Sequence, residues 1–414
     1  MVIPSLDLMD NKAVQLRQGK EKILERDDAR DRIREFDKFG ETAVIDLDAA
    51  MGRGDNQPLI REILKLGDCR VGGGIRDVAT AKKMIGWGAR KVIVGSKAFE
   101  DDRINRGFLT ELRAALGKNR IIIAIDARQG KIVTRAWTHE TGLDLLKVVP
   151  ECEPYCAEFL YTCVEKEGGM QGTDMNLVKE LARSTRNRVT AAGGITTRDE
   201  IRELSRLGVN CQLGMAIYTD RLRLADAFVE SVDWDKGLVP TVTQDEAGQV
   251  LNLAFSSRES LQKTFAENAM WYFSRSRDKL WRKGETSGNA QELIKIRTDC
   301  DRDTLLARIR QKGNACHNET YSCFGDLNFS LPALYSVVLD RLANPAPGSY
   351  TARLTDDRLR EKIREEAEEV IQAGTRDEIV WEVADVLYFL TVLMAKNGVR
   401  YDDVVGELAR RRWQ

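Results

Sequence analysis

The chain has 414 residues with 64 basic and 65 acidic side chains, and a net charge of −1 excludes nonspecific nucleic-acid binding as its main task. No apolar run approaches 18 residues and the N-terminus has neither a signal-peptide nor a transit-peptide pattern, so a cytoplasmic location without a membrane partner is expected. There the eight cysteines read as thiols and ligands rather than a disulfide framework, and the length predicts two to four domains, each with its own core.

Through residues 1–232, apolar runs at Val2–Pro4, Thr42–Ile45, Cys69–Val71, Lys91–Val94, Ile121–Ile125, Phe159–Tyr161, Val189–Ala192 and Cys211–Leu213 read as strands, and charged, helix-favouring segments separate most of them. Eight βα units predict a (β/α)8 barrel. A repeat supports it: Gly73-Gly74-Ile75 recurs as Gly193-Gly194-Ile195, Gly95 as Gly214, and Asp7 as Asp126. Glycine turns after strands let backbone N–H groups approach a phosphate, and two such sets predict a substrate with a phosphate at each end. A single such glycine more often just satisfies a positive φ. Asp7 and Asp126 each follow a strand, which places them at the catalytic face of such a barrel. Paired carboxylates across one mouth suit general acid and base work on a sugar; the competing reading is that each Asp only caps the next element.

The stretches V-I-P-S-L-D-L, V-I-D-L-D-A-A, V-G-G-G-I-R-D, V-G-S-K-A, I-D-A-R, T-G-L-D-L-L, L-Y-T and A-A-G-G-I resemble the histidine-pathway isomerase family, which performs an Amadori rearrangement on a phosphoribosyl-formimino imidazole carboxamide ribotide. The resemblance implies that Asp7 and Asp126 are the acid/base pair and that Thr162 supports them. Three departures stand out: Glu167-Gly168 replaces the family's Asp-Gly, Ala136 replaces the glycine before Trp137, and charged K-E-K-I-L-E-R-D-D replaces an Asp-Pro segment.

Asp233 to Gly237 reads as a polar joint, and a new unit is expected over 236–328 as a small, mainly-β α+β domain. T-V-T-Q-D and V-L-N-L-A-F predict two strands across a turn holding Gly248, followed by a helix near Ser257–Asn268. Arg275, Arg277, Lys279, Arg282 and Lys283 interleave with Trp271, Tyr272 and Trp281, a mixture that suits a nucleotide's phosphate and base. If 299–303 is extended, Asp299, Asp301 and Asp303 share one face and Cys300 points to the other. The carboxylates suit Mg²⁺, whereas Cys300, Cys316 and Cys323 suit Zn²⁺ with a fourth position open. His317, beside Cys316, is the candidate proton carrier. The run S-R-S-R-D-K-L-W-R-K-G-E-T-S-G and the cluster after it resemble phosphoribosyl-AMP cyclohydrolase. That resemblance implies Mg²⁺ on the three aspartates and Zn²⁺ on the three cysteines, with Cys300 supplied across a homodimer interface. It also implies substrate contacts from Arg275, Arg277, Trp281, Lys283, Glu285 and Thr286.

From Leu331 onward the pattern is helical, and an all-α domain is expected over 331–414. Glu365, Glu366 and Glu369 share one helix face; Glu382 and Asp385 share another. Apolar neighbours from Val383 to Leu390 predict a buried Asp385 that needs a cation. The E-E-x-x-E and E-x-x-D pattern, with G-S-Y-T-A-R-L at 348–354, resembles phosphoribosyl-ATP pyrophosphohydrolase. This implies Mg²⁺ on Glu366, Glu369, Glu382 and Asp385, a triphosphate contact from Lys362, and helices that associate between copies. The three resemblances are consecutive steps of histidine biosynthesis, so phosphoribosyl nucleotides are the expected substrates. The alternative is a bifunctional hydrolase whose barrel serves only assembly.

Overall fold

The computed structural model describes residues 1–100, 102–326 and 329–411. Eight strands, β1 (Val2–Met9), β2 (Thr42–Asp46), β3 (Cys69–Gly72), β4 (Lys91–Val94), β5 (Ile121–Ala124), β6 (Glu158–Thr162), β7 (Arg188–Ala192) and β8 (Asn210–Leu213), pair in parallel in chain order. β8 returns to β1 through Val2↔Cys211 and Pro4↔Leu213, closing the barrel. Every strand falls on an expected apolar run, because a strand covered on both faces must be apolar nearly throughout. Ile93, Ile122, Leu160 and Ala192 fill the barrel interior. Outside, helices lay apolar stripes on the strands. The helix Arg198–Arg206, for example, buries Ile201 and Leu204 and starts at a capping box between Thr197 and Glu200.

The charged K-E-K-I-L-E-R stretch is not an open loop. Glu21–Arg26 pairs with Lys12–Arg17, which in turn pairs with β1, so a β-ribbon rises from the barrel rim.

The middle domain is one curled sheet of β9 (Val239–Gln244), β10 (Val250–Ser256), β11 (Trp271–Ser274), β12 (Lys279–Arg282), β13 (Gln291–Thr298) and β14 (Leu305–Gln311), ordered β12-β11-β10-β9-β14-β13. A bridge between Ala269 and Glu292 draws its two ends together. Its helix, Arg258–Glu267, runs between Ser257 as N-cap and Asn268 at φ 52° as C-cap, where the sequence placed it.

This sheet docks on the N-terminal end of the barrel, opposite the mouth. Phe265 packs on Phe39 and Phe228 at ring distances of 4.9 and 5.6 Å, and the Ile296 N–H donates to the Lys38 carbonyl at 2.9 Å. Lys295 bridges Asp37 and Asp68, and Arg297 joins it on Asp68, whose carboxyl is held well below its usual range by these cations. One apolar core runs through both domains. The joint at 233–237 is therefore not a free linker: Trp234 is buried, donates to the Val229 carbonyl at 2.8 Å, and lies under the Arg258 guanidinium.

The expectation of an extended 299–303 is corrected. These residues form the tight turn between β13 and β14, closed by Asp299 N–H to Thr304 O at 3.0 Å, with Arg302 left-handed at φ 69°. Alternating aspartates are as compatible with a hairpin tip as with a strand, and the turn prevails because β13 and β14 pair antiparallel on either side of it.

The last domain is built on α1 (Leu331–Ala343), α2 (Asp356–Gln372), α3 (Arg376–Lys396) and α4 (Tyr401–Arg411), with a short helical turn at Tyr350–Arg353 between α1 and α2 and a separate core of Val338, Leu354, Leu359, Phe389 and Val392. Among the described residues no helix is long and apolar enough to cross a membrane.

Candidate active sites

The barrel mouth is a pocket of about 230 Å³ lined by all four expected groups of glycines and by Asp7, Asp126 and Thr162. The half-barrel repeat survives at the level of single dihedrals. Gly73 and Gly193 have φ of 91° and 90°, and Gly95 and Gly214 have φ/ψ of −111°/−103° and −113°/−107°. Gly73 and Gly193 also have no room for a side chain: a Cβ would lie 2.1 Å from the Asp46 carbonyl oxygen in one and 2.6 Å from that of Cys163 in the other.

Asp7 accepts a hydrogen bond from the Ser5 hydroxyl at 2.7 Å, and a longer one from the Gln15 amide. Burial raises its pKa to about 6, a shift the Ser5 bond partly opposes. Asp126 is also raised by burial, against hydrogen bonds from Trp137 (Nε1–Oδ2 2.8 Å) and Thr162. Trp137 reaches it from a loop in which Arg135, Ala136 and Trp137 are all left-handed, a sparsely populated conformation for non-glycine residues. The Trp137 ring lies on Gly19 of the rim ribbon, where a Cβ would come within 2.9 Å of it.

A third carboxylate joins them. Glu167 lines the same pocket, and burial, followed by the charges of Asp7 and Asp126, pushes its pKa up to about 8. The rim ribbon fixes it: the Gln18 N–H donates to the Glu167 carbonyl at 3.1 Å, and Gly168 follows at φ 64° directly against Leu16 and Arg17 backbone.

In the middle domain the turn brings oxygens of Asp299, Asp301 and Asp303 within 4.8 Å of one another, while Lys236 contacts Asp303 at 3.2 Å. Cys316 and Cys323 lie together. The Asn318 N–H approaches the Cys316 sulfur at 3.5 Å and, with Thr320, holds that thiol below its ordinary pKa, whereas burial and Cys316 raise that of Cys323. Half-buried Lys283 faces both sulfurs. Among the described residues Cys300 joins no cluster of potential ligands and is exposed. Arg275 stacks on Phe255 at 3.8 Å and Arg277 over Trp281 at 5.7 Å, leaving both guanidinium groups at the surface; Glu285, Thr286 and His317 are exposed too.

In the helical domain Glu366, Glu382 and Asp385 bring oxygens within 4.8 Å of one another, and Glu369 hydrogen-bonds Glu382. Glu382 is raised by partial desolvation and by these three carboxylates. Lys362 pairs with Glu366 at 2.6 Å and Glu365 at 2.7 Å; Glu365 faces Arg358 and stays outside the cluster. The expected burial of Asp385 is corrected: Val383, Ala384 and Leu390 are exposed and Asp385 is half-buried, while Glu366 is the buried member.

Comparison with known proteins decides what this architecture belongs to. Residues 1–223 match the family model described as "Histidine biosynthesis protein", 252–325 that of phosphoribosyl-AMP cyclohydrolase, and 331–412 that of phosphoribosyl-ATP pyrophosphohydrolase. The chain belongs to the histidine biosynthesis protein family. It is an enzyme, with an isomerase-type barrel followed by two hydrolase domains. The histidine biosynthesis bifunctional protein HisIE of Pyrococcus furiosus is 40% identical over 205 residues, 45% of this chain and 98% of that protein. Its counterpart in Bacillus subtilis is 40% identical over 193 residues, 43% of this chain and 92% of that protein. The histidine biosynthesis trifunctional protein of Kluyveromyces lactis is 44% identical over 176 residues, 42% of this chain and 22% of its own length.

Neither Glu167 nor Trp137 stands out as a site residue in the sequence of this histidine-biosynthesis enzyme. The one signal is that Glu167 stands at a departure from the isomerase pattern and Trp137 directly follows another, Ala136. A folded-state pKa near 8 for Glu167 means the native chain holds a proton there that the unfolded chain releases, so stability falls as pH rises from about 4.5 through 8. Glu167→Gln is expected to stabilise the protein by about 2 kcal/mol at pH 8.5 and by nothing at pH 4.5. This is less than the full linkage value because the carboxyl opens onto a solvated pocket. Thermal unfolding at the two pH values checks it; an equal shift at both contradicts the assignment.

Proposed function

We propose that the chain carries out three consecutive steps of histidine biosynthesis. The helical domain (331–414) releases pyrophosphate from phosphoribosyl-ATP, the middle domain (236–328) opens the adenine ring of phosphoribosyl-AMP, and the barrel (1–232) isomerises the resulting aminoaldose to the ketose. The observation that carries this reading is that each matched segment holds its own convergent set of reactive side chains, in three separate places. The bifunctional names of the relatives fit the second and third segments.

The donor sets fit metals. Glu366, Glu369, Glu382 and Asp385 repel one another, and Lys362 offsets only part of that charge, so an oxygen-seeking Mg²⁺ matches the cluster. Mg²⁺ bound there supplies charge neutralisation at phosphate oxygens. Lys362, poised on Glu366, reaches the triphosphate. The Asp299–Asp303 turn offers a second oxygen site of the same kind. Cys316, biased towards thiolate, and Cys323 fit Zn²⁺; Cys300 lies apart from them and suits the third position on a second copy of the chain, giving a homodimer with shared sites. Zinc bound there supplies a water acidified to near neutrality. Around it Arg275, Arg277, Trp281, Lys283, Glu285 and Thr286 bind the nucleotide, and His317 carries a proton at a ring nitrogen.

In the barrel, Gly73, Gly74 and Gly95 on one side and Gly193, Gly194 and Gly214 on the other hold the two phosphates. Asp7 and Asp126 exchange protons with the sugar between them, and Thr162 orients Asp126. With its pKa near 8, Glu167 stays protonated at neutral pH, which spares a site that binds two phosphates a third fixed negative charge.

Assaying the three steps separately on the purified full chain tests the proposal; a chain that binds phosphoribosyl-ATP and releases no pyrophosphate overturns it. Glu369→Gln is expected to slow pyrophosphate release by ~10–100-fold, as loss of one of four carboxylates. Ring opening should be unchanged when phosphoribosyl-AMP is supplied directly.

A further inference from the structure

The Asp299–Asp303 turn presents three mutually repelling carboxylates at a hairpin tip, with Asp299 and Asp301 exposed. Thr304 donates to Asp299 and Asp303 and Lys236 pairs with Asp303, which orders the side chains within the turn; an ion site also loses affinity when the backbone that carries its ligands must be ordered on binding. Arg302 lies between the second and third aspartates, yet it is only 8% exposed. It leaves the sheet domain altogether: its guanidinium donates to the Ser205 carbonyl and, at 3.4 Å, to that of Val209. Ser205 lies in the last turn of the helix before β8 and Val209 leads into β8, so both acceptors belong to the end of the barrel opposite its mouth. The Arg302 backbone is pinned as well, since its carbonyl accepts from the Asp233 N–H at 2.9 Å. A buried guanidinium taken up by fixed carbonyls, on a residue held left-handed at φ 69°, is a rigid peg.

We infer that Arg302 is a positioning residue through which the barrel sets the divalent-ion affinity of the cyclohydrolase turn, so that the barrel supports the middle domain's chemistry from the end remote from its own pocket. The inference rests on the reading that Asp299, Asp301 and Asp303 bind a divalent cation. It goes beyond that reading by making the site's affinity depend on another domain. Lys295, Arg297 and Phe265 hold the two domains together independently, so loss of Arg302 leaves the docking in place.

The test is Mn²⁺ binding, followed by electron paramagnetic resonance, in the full chain carrying Glu366→Gln, Glu382→Gln and Asp385→Asn, which removes the helical-domain cluster while relieving its repulsion. Asp301→Asn should eliminate the remaining site. Arg302→Asn removes the peg with a residue that tolerates a left-handed backbone. It should raise the Mn²⁺ dissociation constant about tenfold, and Arg302→Lys should give an intermediate value. Parental affinity in a folded Arg302→Asn chain overturns the inference. If circular dichroism shows that this variant does not fold, Arg302→Lys decides, and parental affinity there overturns it equally. Mn²⁺ binding that survives Asp301→Asn removes the underlying cation reading, and the positioning role falls with it.

Discussion

Cys316→Ser is expected to cut the opening of phosphoribosyl-AMP by at least ~1,000-fold while pyrophosphate release from phosphoribosyl-ATP stays at the parental rate. The first half follows from chemistry. Cys316 is the thiol that its surroundings bias towards the anion, through the Asn318 N–H and Thr320, and a serine hydroxyl in its place does not ionise near neutral pH. If the proposed zinc site is held by Cys316, its loss would remove the metal's acidifying effect on water, worth several kcal/mol of transition-state stabilisation, which sets the scale of the effect. The second half follows from architecture. The helical domain has its own apolar core, and its carboxylate cluster draws on α2 and α3 alone. Bound zinc, measured on the purified chain, should fall together with ring opening. Loss of both activities would sink the separation of the two hydrolase sites.

What the sequence made legible follows physical range. Barrel strands are apolar runs covered on both faces, and helix 258–267 is bracketed by a cap at each end, so local pattern suffices for both. The glycine repeat was legible because a positive φ without room for a Cβ admits one residue type, and Gly73 and Gly193 need both. The Asp299–Asp303 turn escapes local pattern because a period of two is shared by strands and hairpin tips; its carboxylates converge through the reversal of the backbone, not through alternation along a strand. The partial exposure of Asp385 escapes it too: apolar neighbours in sequence do not bury a residue when α3 presents Trp381 and Val383 to the outside. The peg at Arg302 has no local signal, and the one at Glu167, a departure from the isomerase pattern, says nothing of its protonation. One depends on carbonyls nearly a hundred residues away, the other on burial beside Asp7 and Asp126.

The barrel's docking end and its mouth bear differently on whether it is catalytic. Packing of the middle sheet on the N-terminal end favours a barrel that serves assembly, since that end of a barrel is where stability rather than chemistry resides. The mouth favours catalysis: Asp7, Asp126 and the paired glycine turns share one pocket, burial raises both carboxyls, and Asp7 reaches about 6, a range useful for proton transfer. Asp126→Asn separates the two. In a catalytic barrel it should lower isomerase kcat by ~10²–10⁴-fold, with little change in KM because the glycine turns still hold the phosphates. The parental enzyme should also lose kcat/KM as pH falls through about 6, where Asp7 takes up its proton and ceases to be available as a base. A barrel kept for assembly gives background turnover in the parent and in Asp126→Asn alike. In that case ring opening, which is assigned to the middle domain, should continue undiminished in both.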